Sequence, residues 1–186
     1  MARDPAEDQR SDEFLVAALN RGEREAFDVL YARYGDWAHR LAYRFTSNDS
    51  DALDVLQETF TYFYRKFPGF VLSAKLTTFL YPVVKHLAIA AAKRRRRFAS
   101  DDEALESLTT PPTREESDSS RAELAAVLDG LSAGQREVVL LRFVDDFSLE
   151  EISSALDVPV GTVKSRLHNA LTKLRDDPRC AAYFAS

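Results

Sequence analysis

Residues Ser148–Arg175 read SLEEISSALDVPVGTVKSRLHNALTKLR. Ser148 followed three positions later by Glu151 is a capping box: the hydroxyl accepts from an unpaired amide at the helix start, and the carboxylate reaches back to the serine amide. Ile152 and Leu156 give that helix an apolar side, and the turn Asp157-Val158-Pro159 stops it. A second helix begins near Val160. Its inward positions are Val163, Leu167, Ala170, Leu171 and Leu174, spaced by three and four residues, which leaves Lys164, Ser165, His168, Asn169 and Thr172 on the other side. A helix, a tight turn and a helix presenting cations and hydrogen-bonding groups form a helix-turn-helix, because a helix fits the DNA major groove and its leading side chains reach base edges. The ordinary alternative is a solvated helix whose Lys164, Arg166, Lys173 and Arg175 complement its C-terminal dipole. The capped preceding helix and the short turn favour DNA.

Working upstream, Leu124, Val127, Leu128 and Leu131, then Val138, Val139, Leu141 and Phe143, predict two more short helices separated around Ser132-Ala133-Gly134. A separate helical block precedes them. Ala26, Phe27, Leu30, Tyr31 and Tyr34 share one helical face, Gly35 marks a break, and Trp37, Leu41 and Phe45 continue on a second helix. Asn48-Asp49-Ser50-Asp51 can cap a third, with Leu53, Leu56, Phe60, Phe63 and Phe67 inward and Pro68-Gly69 as its end. A fourth starts near Leu76 and carries Phe79, Leu80, Val83, Leu87 and Ala90 inward. Pro82 costs it ~3 kcal/mol unless it lies in the first turn or at a kink. Strand-like alternation is scarce, so the fold class is all-α.

Between the blocks, Ser100–Ser120 holds Asp101, Asp102, Glu103, Glu106, Glu115, Glu116 and Asp118 against a single cation, Arg114, together with Thr109-Thr110-Pro111-Pro112-Thr113. Such a composition favours a solvated linker. The formal net charge of −5 does not exclude a nucleic-acid partner, since phosphates feel charge within roughly a Debye length of ~10 Å. Locally, Lys85 and Lys93–Arg97 form one basic cluster, and Lys164, Arg166, Lys173 and Arg175 another.

Apolar residues at 45% and charged residues at 30% suit a globular protein with a core. Leu76–Ala92 is broken by Thr77, Thr78, Lys85 and His86, so no membrane insertion is expected. The start, Met1-Ala2-Arg3-Asp4-Pro5, lacks a signal-peptide apolar run. Together with the lone Cys180, these features point to a reducing, cytoplasmic setting.

Asp51, Asp54 and Glu58 put carboxylates along one helical face, but no histidine, phosphate-cradling glycine loop or paired cysteine accompanies them. A solvated or protein-docking face accounts for them better than catalysis, and no metal or cofactor is expected. Lys93–Arg97, with Lys85 and His86 on the same helix, suits a phosphate-holding face. Phe70, Phe79 and Tyr81 are candidates to stack on unpaired bases; for Phe79 core packing is preferred.

Two segments in this order, Asp51–Phe60 (DALDVLQETF) and Val158–Leu167 (VPVGTVKSRL), resemble the extracytoplasmic-function sigma factors, with Gln135-Arg136-Glu137-Val138 similar to the start of that family's C-terminal domain. The resemblance spans nearly everything from Phe27 to Arg175. It implies a region 2 helical bundle over 1–98, a flexible acidic linker over 99–120 passing near the RNA exit path, and a region 4 helix-turn-helix over 121–186. By the same resemblance Asp54, Gln57 and Glu58, with Asp51 nearby, dock on core RNA polymerase through its β and β′ subunits. Phe70, Lys75, Tyr81, Lys85 and His86 meet the promoter −10 element, with Lys93, Arg94, Arg95, Arg96 and Arg97 close to the duplex. Thr162, Lys164, Ser165, Arg166, His168, Asn169 and Lys173 read or clamp the −35 element. An anti-sigma factor is a further implied partner. Phe79, Pro82 and His86 stand where the family commonly has Trp, Arg and Asn, and Asn169 where arginine is frequent. Since asparagine pairs best with adenine and arginine with guanine, an unusual −35 preference is expected. The weighed alternatives are a sigma-like decoy that titrates an anti-sigma factor, and an ordinary helix-turn-helix regulator whose first block binds a ligand or a second copy.

Overall fold

The structure, a computed structural model, describes residues 8–102 and 127–179. Regular structure among them is helical, as the periodicity predicts: α1 Asp12–Asn20, α2 Glu25–Thr46, α3 Asp49–Tyr64, α4 Leu76–Asp102, α5 Ala133–Phe143, α6 Leu149–Leu156 and α7 Val160–Asp176. A helical turn at 127–129 precedes α5. The chain divides into two compact units, with the boundary between Ser107 and Leu108. α4 continues to Asp102, past the boundary expected at residue 98. The rest of the expected linker, Leu124 and Cys180 lie outside the described residues.

In the first unit α2, α3 and α4 pack against one another and α1 lies on α2. The core joins Leu15 of α1, Leu30 and Leu41 of α2, Phe60 and Phe63 of α3, and Leu80 and Val84 of α4. Each such side chain contributes on the order of 1.5–3 kcal/mol by leaving water. Ala38, Ala42, Ala52 and Ala88 are also buried, and their small size lets the helices approach closely.

α1 has no counterpart in the expectations from sequence. Nine residues of amphipathic helix are marginal alone, and tertiary bonds secure this one. Arg33 of α2 donates to Asp12 at 2.5 Å and to the Asp8 and Arg10 carbonyls at 2.9 Å each, while the Tyr34 hydroxyl donates to the other Asp12 oxygen.

Three details of the bundle correct the sequence reading. Gly35 does not break the chain: α2 runs through it, and Gly35 is buried beside the Tyr31 ring. Its propensity cost of roughly 0.5–1 kcal/mol is small against two helical turns of packing. Asn48 does cap α3, accepting from the Asp51 amide at 2.9 Å, but Leu53 faces outward at 45% exposure while Ala52 and Val55 are buried. In α4 the buried stripe is Leu76, Leu80, Tyr81, Val84, Ala88 and Ala91, not Phe79, Val83, Leu87 and Ala90. The face is turned by about one residue, or ~100°. This orientation buries the large Tyr81 ring and puts Pro82, which lies beyond the first turn, on the exposed side. The carbonyl that faces the missing amide, four residues back, is that of Thr78, which is buried at 6% exposure.

In the second unit Ser132 and Ser148 both form complete capping boxes, with Gln135 and Glu151 respectively. Leu131, Val139 and Ala170 form a buried cluster joined by Leu128, Leu167 and Leu174. Arg136 ties α5 to the preceding turn, donating to the Leu128 carbonyl at 2.9 Å and pairing with Asp129. Phe143, expected inward, is 61% exposed. The chain reverses through Asp146 at φ 55°, and Phe147 is buried instead, its carbonyl held by Arg142 at 2.9 Å.

Candidate interfaces on the two helical units

The outer edge of α3 carries Asp54, Gln57 and Glu58, all exposed. They form one wall of an open groove of about 910 Å3 whose other wall is Phe79, Pro82, Val83, His86 and Leu87 of α4. One end of the groove is acidic, and Arg65 stands at the other. Asp51 departs from this set: it turns toward α4 and pairs with Arg95.

The residues expected at single-stranded DNA do not all share one surface. Tyr81 is 2% exposed, so it cannot stack on a base. α4 turns it inward, and its ring belongs to the core. Phe70 is half-buried in an aromatic cluster, 4.8 Å from Phe79 and 5.5 Å from both Phe63 and Phe67 between ring centroids. Phe79 is itself half-buried there, which is close to the core packing preferred for it. Lys75 is exposed just before α4, Lys85 is half-buried, His86 is exposed on the groove, and Lys93–Arg97 are exposed along the later turns of α4.

Two features of this region were not legible beforehand. Lys66 Nζ lies 4.4 Å from the Tyr62 ring centroid, and Tyr62 stacks on Phe79 at 6.4 Å and 17°. The signal that could have found the first is the i, i+4 spacing of Glu58 and Tyr62, which puts both on one edge of α3. The second feature is Asn20, whose amide bonds to the chain between α3 and α4; no local pattern marks a contact across fifty residues.

In the second unit α6 ends at Asp157, in the left-handed region at φ 52°, and α7 starts after Pro159. Ser153 Oγ donates to the Val158 carbonyl at 2.6 Å and the Val158 amide to the Ser153 carbonyl at 3.1 Å. Val158 is thereby held at both of its backbone polar groups. Val163 and Ala170 are buried, so α7 presents Lys164, Ser165, His168, Asn169 and Lys173 outward. Ser165 Oγ donates to the Thr162 carbonyl at 3.0 Å, which leaves its lone pairs as acceptors. Thr162 and Arg166 are half-buried. Arg166 lies against α5: a Cβ on Gly134 would stand 3.3 Å from Arg166 Cζ. Sequence spacing put Arg166 with the exposed cations, and the packing gives it a second neighbour.

Burial and the hydrogen bond to Asp12 push the Tyr34 phenol above its ordinary range, and bonds from Arg179 hold the Asp177 carboxyl down at about 2. Among the described residues no group of three or more His, Cys, Asp or Glu is placed to hold a metal ion, and no helix is long and apolar enough to cross a membrane.

Comparison with known proteins matches residues 30–98 to Sigma-70 region 2 and residues 121–174 to Sigma-70 region 4. The chain is 30% identical over 176 residues to the ECF RNA polymerase sigma-E factors of Salmonella typhimurium and Escherichia coli, covering 88% of this chain and 92% of each relative. It is 28% identical over 177 residues to the ECF RNA polymerase sigma factor SigW of Bacillus subtilis, covering 88% and 95%. The fold is also that of CnrH, solved in complex with the cytosolic domain of CnrY, with a TM-score of 0.66 at 23% identity over 94% of this chain and 98% of that one. Sigma factor RpoE of Bartonella quintana, solved with the anti-sigma factor NepR, gives 0.59 at 24% identity over 81% and 94%. Its two matched regions and its near full-length likeness to sigma-E show that this chain belongs to the ECF family of RNA polymerase sigma factors.

Proposed function

We propose that the two units divide the work of a sigma factor, with residues 1–98 holding core polymerase and the −10 element and residues 121–186 reading the −35 element. As a sigma factor the chain binds core RNA polymerase and directs promoter-specific initiation; the polymerase supplies the chemistry, and this chain acts without a catalytic site of its own, in the cytoplasm. The observation that carries the division of labour is that each unit turns one polar helix edge outward while burying the opposite side of the same helix. On α3 that edge is Asp54, Gln57 and Glu58, and on α7 it is Lys164, Ser165, His168 and Asn169.

Asp54, Gln57 and Glu58 dock on polymerase, with Asp51 behind them steadying α4. Phe70, Lys75, Lys85, His86 and Lys93–Arg97 face the −10 DNA; Tyr81 has no part in stacking. On α7, Lys164, Ser165, His168 and Asn169 reach base edges or phosphates, with Thr162, Arg166 and Lys173 flanking them. Because the RpoE structure is a complex with an anti-sigma factor, a partner of that kind is proposed here too.

The test is whether the purified chain co-elutes with bacterial core polymerase and starts RNA synthesis at defined genomic sites. Co-elution with site-specific starts supports the proposal and gives the promoter motif. Binding without initiation would make the chain a decoy, and no binding would leave an ordinary helix-turn-helix regulator.

A further inference from the structure

We infer that Asn20, at the end of α1, is a positioning residue for the loop between α3 and α4, and through that loop sets which unpaired base the sigma factor accepts. The inference rests on the reading that this loop meets the −10 strand. Residues 68–74 carry no helix or strand, and among the described residues none of their backbone groups bonds to another backbone group. Asn20 supplies what the loop lacks. The Gly69 amide donates to Asn20 Oδ1 at 2.6 Å, and Asn20 Nδ2 donates to the Phe70 carbonyl at 2.8 Å.

The two bonds use both ends of one planar amide, so they fix the direction of the chain as well as its distance from α1. Gly69 has φ 104°, a conformation that residues with a Cβ rarely adopt. Below the clamp, the Phe70 ring sits on Phe63 and Phe79. Held from both sides, the loop turns Val71 out to 80% exposure, with Ser73 and Ala74 also exposed. An apolar side chain held this far into water on a pinned loop can rest against an unstacked base. A loop without the clamp still carries that side chain but no longer presents it in one place. Loss of Asn20 therefore affects discrimination between bases, because selectivity depends on contacts held in register.

The experiment reconstitutes full-length variants with core polymerase and measures holoenzyme binding to the single-stranded −10 region of a promoter it uses, in four versions differing at one base. Asn20→Ala is expected to weaken binding to the preferred version about tenfold, the scale of one to two lost hydrogen bonds, and to level the preference among the four. Asn20→Asp keeps the acceptor for Gly69 and loses the donor to Phe70, so an intermediate loss is expected. Val71→Asp tests the loop reading separately, since a carboxylate at the crest repels the strand without touching the core. If Val71→Asp weakens binding while Asn20→Ala keeps both affinity and preference, the role of Asn20 is overturned and the loop reading stands. If neither variant changes binding, both are overturned. If Asn20→Ala loses affinity for core polymerase in step with the strand, Asn20 is a folding residue and the inference fails.

Discussion

Arg95 Nε lies 3.0 Å from Asp51 Oδ2, joining the first turn of α3 to the basic run of α4. The contact is one of charge: Oδ2 is out of solvent yet accepts no hydrogen bond, and the Asp51 side chain is only 18% exposed. One cation of Lys93–Arg97 is thus already engaged by the protein, and a phosphate must compete with Asp51 for it.

Asp51→Asn is expected to cost less than about 1 kcal/mol of stability, because Arg95 is half in water and such pairs are screened. It should also release Arg95 to DNA, steepening the salt dependence of promoter binding by about one phosphate contact. A titration of holoenzyme binding at several salt concentrations checks this; an unchanged slope means that Arg95 does not reach the backbone.

Asp54→Ala combined with Gln57→Ala should weaken core-polymerase binding by about tenfold, the scale of one or two charge-assisted bonds. Duplex −35 binding should stay as it was, since α3 and α7 belong to different units. Unchanged affinity in a fluorescence titration against core polymerase would remove these residues from the docking edge.

Lys164→Ala and Arg166→Ala should behave differently. Lys164 is exposed, so its loss lowers −35 affinity and reduces the salt slope by about one while leaving thermal stability alone. Arg166 packs on Gly134, so its loss also lowers the melting temperature, by a few degrees for a cost of about 1 kcal/mol. Equal melting temperatures for the two variants would show that the Arg166 contact adds nothing to the fold.

Tyr34→Phe removes the hydroxyl bonded to Asp12 and should cost about 1–2 kcal/mol at neutral pH. The folded phenol titrates above its unfolded value. Its contribution is therefore complete below pH ~10 and lost as pH rises beyond that. Urea melts at pH 7 and across the alkaline range should show wild type and variant converging only in alkali. A constant difference would mean that the bond to Asp12 is not what burial protects.

Pro82→Ala restores an amide within α4. Relief of up to ~3 kcal/mol, less roughly 1 for the looser unfolded chain, predicts a net gain of about 1–2 kcal/mol. A loss of stability in the same melts would show that the proline ring contributes packing to the groove that outweighs the missing bond.

Beyond α1 and the continuity of α2, the helices, the caps at Asn48 and Ser148 and the helix-turn-helix were legible from residue order because they depend on neighbours three or four positions apart. Asn48, Ser132 and Ser148 cap helices where local spacing allows it, and Val163 and Ala170 are buried on the side their period assigns. The acidic edge of α3 and the basic edge of α7 could be read for the same reason. Tertiary packing decided what spacing leaves open: which of two adjacent faces of α4 is buried, where the Tyr81 side of the helix goes inward in place of the Val83 and Leu87 stripe. It also decided that Gly35 sits inside a helix, that Phe147 is buried where Phe143 was expected, and that Asp51 turns to Arg95. Asn20 is the extreme case. Its partners, Gly69 and Phe70, lie some fifty residues away, and only the packing of α1 on α2 and of α2 on α3 and α4 brings one amide to that loop.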